Sequence, residues 1–248
     1  MSATVDITRV LRVRRHQATR LEGFVDASFA FAVTLLVITV GHVPGSVADM
    51  LQALRGVPAF ALCFLSIARI WKAHRDWSRY YDLEDGPALH LSLLLVFVTL
   101  IYVYPLRLLF SLLFAWISGG YLVDQPVSLH SADELRAAFE VYGIGLGTIC
   151  GLFALLYRHA LRQAVDIGLD AGEVIATQMH VAIWAALAGV AGISTLCAAL
   201  LPFRSGQPWL FTVPGMVYAA SGFLASTIRG FYARRLDAAR AVSVPAHL

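Results

Sequence analysis

Long apolar runs separated by short polar connections set the pattern of this chain. Six of them, at residues 23–40, 51–70, 89–113, 138–157, 179–201 and 210–228, are apolar on every side instead of alternating. Such runs predict helices, because a transmembrane helix needs about 20 mostly apolar residues, whereas a barrel strand needs about ten alternating ones. Arg55 and Pro58 interrupt the start of the second run, and Pro214 the sixth. Pro105 in the third predicts a kink or local break, which lipid tolerates where neighbours re-satisfy the backbone. Residues 117–137 read as a polar loop leading into the fourth helix, with Ser131 and Glu134 in a capping-box pattern. Gly143, Gly147 and Gly151 on the fourth run predict a close-packing face, as do Ala185, Ala188, Gly189 and Gly192 on the fifth.

Composition agrees with this reading. Of 248 residues, 58% are hydrophobic and 14% charged, and the mean hydropathy is +0.70; soluble domains carry about 25% charged residues. A soluble domain and a disordered chain are both excluded. The three cysteines, Cys63, Cys150 and Cys197, lie inside apolar runs without Cys-x-x-Cys spacing, so neither a disulfide scaffold nor a metal site is expected. No His-Glu-x-x-His, Gly-x-Ser-x-Gly or paired-carboxylate pattern is present, so the chain does not read as an enzyme and no cofactor is expected. The expected fold is an all-α integral membrane protein. It forms one six-helix domain over residues 1–248, with a basic leader at 1–19 and a tail at 229–248.

The basic residues orient the helices. Arg9, Arg12, Arg14, Arg15 and Arg20 precede the first run, and Arg69, Lys72, Arg75 and Arg79 lie around the second connection. Arg158 and Arg162 lie between the fourth and fifth runs, and Arg229, Arg234, Arg235 and Arg240 follow the sixth. Only Arg55, Arg107, Arg136 and Arg204 fall on the other side. Under the positive-inside rule both termini are cytoplasmic, in a cell inner membrane, which requires an even number of spans. The first run is too long for the core of a cleaved signal. The net charge of +3 places arginines beside anionic lipid and does not point to nucleic acid.

An ionisable group in a membrane helix costs at least about 2.5 kcal/mol at the centre, so each one calls for a reason. Arg20, Glu22 and Asp26 open the first helix. At 100° per residue Arg20 and Asp26 stand about 120° and about 9 Å apart, so other helices must supply their partners. Arg20 and Glu22 suit interfacial snorkelling; Asp26 lies deeper and is too short for it. Trp71 and His74, one turn apart at the end of the second helix, predict with Asp26 a hydrogen-bonded cluster joining helices one and two. Arg107, near Tyr102, Tyr104 and Trp116, is expected to snorkel to the outer interface. Past Asp26, Phe31, Leu35 and Ile38 form one apolar stripe, with Ala27, Ala30 and Thr34 alongside. Spacing alone leaves a lipid-facing or packing role open for it.

The pattern Arg20-x-x-x-Phe24-Val25-Asp26, followed by Ala30-Phe31 and Thr34-Leu35-Leu36, resembles the signature of the transmembrane protein 175 family of potassium channels. Trp71-x-x-His74 and Pro105 are similar to family features as well, and the likeness covers roughly residues 20–110. It implies a homotetramer of six-helix subunits whose first helices surround a central pore for potassium ions. Phe31, Leu35 and Ile38 would form the apolar constriction, Thr34 would tune it from behind, and Arg20, Phe24 and Asp26 would be structural near the cytoplasmic end. The partners implied are membrane lipid, potassium ions and further copies of the chain. Two positions depart from the family pattern: Val25 stands where the family has serine, and Phe31 is bulkier than the usual Ile or Leu. The alternative is a proton-coupled secondary transporter using Asp26 and His74. Such a protein is expected to show repeats with broken helices in corresponding positions, and the six runs show none.

Overall fold

Apolar sequence that cannot pair its backbone with water must pair it internally, and within the described residues the predicted runs are mainly helical. The computed structural model describes residues 10–38, 45–125, 131–200 and 213–243, and among them there is no strand. The helices in order are α1 (Arg20–Ile38), α2 (Val47–Arg55), α3 (Val57–Tyr81), α4 (Gly86–Ser118), α5 (Ala132–Arg162), α6 (Ala171–Leu200), α7 (Val213–Val217) and α8 (Ala220–Ser243). Four of these, α1, α4, α5 and α6, are long and apolar enough to cross a membrane, and the bent pair α2–α3 makes a fifth if taken as one span.

The second and sixth runs differ from expectation. Helix two is broken: α2 ends at Gly56, Pro58 opens α3, and the two axes meet at 50°. Proline at the first turn of a helix lacks only a donor that would be unpaired anyway, so it starts α3 where it would have disrupted a continuous helix. The sixth run is divided into α7, which contains Pro214, and α8, which carries Arg229, Arg234, Arg235 and Arg240; residues 210–212 lie outside the described residues, as do 39–40 of the first run and 201 of the fifth. In contrast, α4 runs unbroken through Pro105 for 33 residues. At the start of α5 the Ser131 side chain accepts from the Glu134 backbone N–H at 3.2 Å, as the capping pattern predicts.

Helix α3 also continues well past residue 70, so Trp71 and His74 lie within it and do not end it. Its polar extension is held by the Lys72–Asp76 ion pair on one side and by buried His74, Trp77, Ser78 and Tyr81 on the other. Tyr81 reaches α6, its hydroxyl 2.9 Å from Thr177 Oγ1, and packs edge-on against Tyr157 of α5.

Residues 10–19 form a strap across the ends of α3, α4 and α6. The backbone N–H groups of Arg14 and Arg15 both donate to the Arg79 carbonyl, and the Arg14 guanidinium bonds the Tyr80 carbonyl at 2.9 Å and Glu173 Oε2 at 2.7 Å. Glu173 is only 1% exposed and accepts a further bond from the Arg12 backbone N–H. Arg12 pairs with Asp170, and Arg15 with Asp82 and Glu84. Leu11, within the strap, is buried. Five-donor guanidinium groups suit such multiple acceptors, and the carboxylates at this end hold the arginines against the helix ends.

In the bundle α1 rests on α3 and α4, α4 on α5, α5 along most of α6, and α6 on α7 and α8. The glycine faces are only partly as expected. A Cβ at Gly143 would stand 2.2 Å from Thr195 Oγ1, so α5 and α6 do approach closely there, and Gly147 is in ordinary contact with Ala191. Gly151, Gly189 and Gly192 have nothing within 4 Å. The tightest site after Gly143 lies off the stripe, at Gly145 against the ring of Tyr102. Position in a small-residue stripe shows that approach is possible, and the bulk of the opposing side chain decides where it occurs.

Candidate functional site

Helix α1 has two faces. Glu22, Val25, Phe29, Ala32 and Leu36 are buried against the bundle, and at 100° per residue they cluster on one side. On the other side lie Arg20, Phe24, Ala27, Phe31, Thr34 and Ile38, all exposed, with Leu35 half-buried at the margin. Phe31 is 55% and Ile38 64% exposed, an uncovered apolar strip running along the helix. Thr34 lies on this side too, its hydroxyl turned to the Ala30 carbonyl at 3.1 Å. Valine at position 25 fits its place: it is wholly buried, where a hydroxyl would need a partner.

Three polar ties hold the buried face. Trp71 Nε1 of α3 donates to Asp26 Oδ1 at 2.6 Å. Arg79, also of α3, donates through Nε to Glu22 Oε1 at 3.3 Å; Glu22 is 2% exposed, so it does not snorkel. At the other end Arg107 of α4 donates to the Leu36 carbonyl at 3.3 Å and pairs with Asp124 of the segment after α4. Arg107 therefore does not snorkel either: an acceptor and a counter-ion within the protein hold it.

The structure thus brings Asp26 and Trp71 together but sends His74 elsewhere. His74 is buried and sits 2.9 Å from Ser92 Oγ of α4. The cluster expected between α1 and α3 is two separate ties, one to α1 and one to α4, and the two groups invoked for proton coupling have different partners. Ser92 carries no signal in the sequence, being one hydroxyl in an apolar run. Arg20 and Phe24 do not join the bundle side of α1; with Leu21, Glu84, Leu89 and Leu93 they line an open recess beside the start of α4. Among the described residues no group of three His, Cys, Asp or Glu side chains could hold a metal ion.

A helical bundle with several membrane-capable helices, carrying an edge helix with one uncovered apolar face, defines a polytopic helical membrane protein. Residues 20–105 match the family described as Endosomal/lysosomal potassium channel TMEM175. A protein of Marivirga tractuosa named potassium channel is 34% identical over 173 residues, covering 68% of this chain and 69% of that one. Among solved structures, a single-site variant of the potassium channel MtTMEM175, crystallised with a Nanobody-MBP fusion protein, superposes with a TM-score of 0.76 at 28% identity. That likeness covers 92% of this chain and 97% of the other. The chain belongs to the TMEM175 family.

Proposed function

We propose that this chain is the subunit of a potassium-permeable cation channel in which α1 lines the pore. The reading takes the subunit as six-spanning, with both termini cytoplasmic in a bacterial-type inner membrane, and as a homotetramer. Phe31, Leu35 and Ile38 of each subunit form the hydrophobic constriction, tuned by Thr34. The observation that carries it is the division of α1: one face fully packed on α3 and α4, the opposite one uncovered from Phe24 to Ile38. Exposed apolar side chains also lie on α4 and α6; kinship with channel proteins favours α1 for the shared axis, because the likeness begins at Arg20. Kinship with proteins named potassium channels supports the choice of ion.

Repeated around an axis, the three side chains span about 10 Å of pore. A ring of apolar side chains passes ions when wide enough to stay wet and blocks them by dewetting when narrower. No protein oxygen replaces the hydration shell there, so selectivity is expected to be weaker than in a carbonyl-lined filter.

The test is potassium flux from liposomes holding the purified protein under a potassium gradient, with an ionophore control. Leu35→Trp is expected to abolish the downhill flux. Flux unaltered by Leu35→Trp in a folded protein, or uptake that needs a proton gradient and is lost in Asp26→Asn, would overturn the channel reading in favour of the transporter.

A further inference from the structure

Resting on the pore reading, we propose that Arg107 is the positioning residue of the pore helix, and that Asp124 cancels its charge beside the cation path. Arg107 lies two residues after Pro105 on α4 with its side chain 16% exposed. An arginine at such a place calls for a reason beyond anchoring, because an anchoring side chain snorkels to water. This one turns inward to α1. Its bond to the Leu36 carbonyl fixes the backbone between Leu35 and Ile38, the two constriction positions nearest this end.

Asp124, 7% exposed, is built into place from three sides. Gly119 and Gly120, at φ +61° and +87°, end α4 and turn the chain back; a side chain at either would be strained. Gln52 of α2 donates to the carbonyls of Val123 and Asp124 at 3.1 and 3.2 Å. A Cβ at Gly56 would stand 2.8 Å from the Asp124 Cβ, so the break between α2 and α3 makes the room that this aspartate occupies. The contacts form one chain, from α2 through Asp124 and Arg107 to Leu36 of α1.

The electrostatics follow. A guanidinium left without its carboxylate on the packed side of the pore helix repels a permeant cation across that helix, and a carboxylate left alone there attracts it. Paired, the two present little net field. Removing one partner or the other therefore has opposite effects on conductance, and loss of packing cannot produce that reversal of sign.

Single-channel currents in planar bilayers, from about 1 M down to about 10 mM KCl, lengthen the Debye screening from about 3 to about 30 Å and separate the two effects. At the low-salt end Asp124→Asn is expected to lower potassium conductance about threefold or more and Arg107→Gln to raise it, with both differences fading at high salt. The double variant Arg107→Gln/Asp124→Asn is expected to lose the salt dependence of both single variants, leaving only the salt-independent effect of the lost Leu36 bond. Should Asp124→Asn fail to fold, the salt-dependent rise in Arg107→Gln and its cancellation in the double variant carry the test alone. Changes of the same sign in both single variants, or changes indifferent to salt, would overturn the proposal. Leu35→Trp run alongside keeps the two questions apart: if it leaves the current intact, the pore reading fails. If it blocks the current while positions 107 and 124 respond without the sign reversal, only the present proposal does.

Discussion

Trp71 and Asp26, 45 positions apart in the chain, join α3 to α1 through a 2.6 Å hydrogen bond from the indole N–H to a carboxylate oxygen. The bond ties the packed side of α1, together with Glu22–Arg79 one turn earlier, and leaves the Phe31 side untouched.

A hydrogen bond to a charged group contributes about 1.5–3 kcal/mol. Trp71→Phe, which keeps an aromatic ring but not the donor, is expected to destabilise the folded protein by about 2 kcal/mol in detergent unfolding. Asp26→Asn retains an acceptor and should lose less. The double variant should fall short of the sum of the two single effects, which a double-mutant cycle reads directly.

Phe31→Ala is expected to raise potassium flux several-fold in liposomes, because Phe31 is the bulkiest of the three side chains on the uncovered strip. Unchanged or lower flux from a folded Phe31→Ala protein would place the narrowest ring elsewhere, at Leu35 or Ile38.

Much of this arrangement is legible in the sequence because lipid enforces it. A helix that must be apolar all round announces itself, and so does a carboxylate such as Asp26 that is too deep to snorkel. Less legible are groups whose partners are remote. Glu22 and Arg107 read individually as interfacial charges, yet each is paired with a residue at least 17 positions away. Apolar runs also understate helix length: α3 continues through Trp71-Lys72-Ala73-His74 because ion pairs and buried aromatic contacts sustain it where hydropathy has already fallen. The break at Gly56 is half visible in Pro58, but its purpose depends on Asp124.

The strap across the helix ends gives an asymmetric prediction. Arg14→Gln leaves the buried Glu173 carboxylate without its guanidinium, whereas Glu173→Gln leaves Arg14, with its side chain 20% exposed, able to turn toward water. Losing the partner of a buried charge is the more damaging change, at about 3–5 kcal/mol. Arg14→Gln is therefore expected to lower thermal stability in detergent more than Glu173→Gln.

Glycine positions on α5 provide a control for packing. Gly145→Ala drives a methyl group into the ring of Tyr102, and Gly143→Ala into Thr195, whose hydroxyl is bonded to the Ala191 carbonyl. Each is expected to destabilise by about 1–3 kcal/mol as the neighbours are displaced. Gly151→Ala meets open space and should instead stabilise the helix by roughly 0.5–1 kcal/mol. Unfolding midpoints of the three variants compare these directly.

The strap also has a consequence for biosynthesis. Arg14 is made 159 residues before Glu173, and at about 5–20 residues per second its carboxylate partner emerges from the ribosome roughly 8 to 30 s later. Over that interval Arg14 has no Glu173 to pair with, and the strap cannot close. Once α6 is in place the same side chains are drawn into the finished bundle, so a segment made early is locked down only by a helix made late.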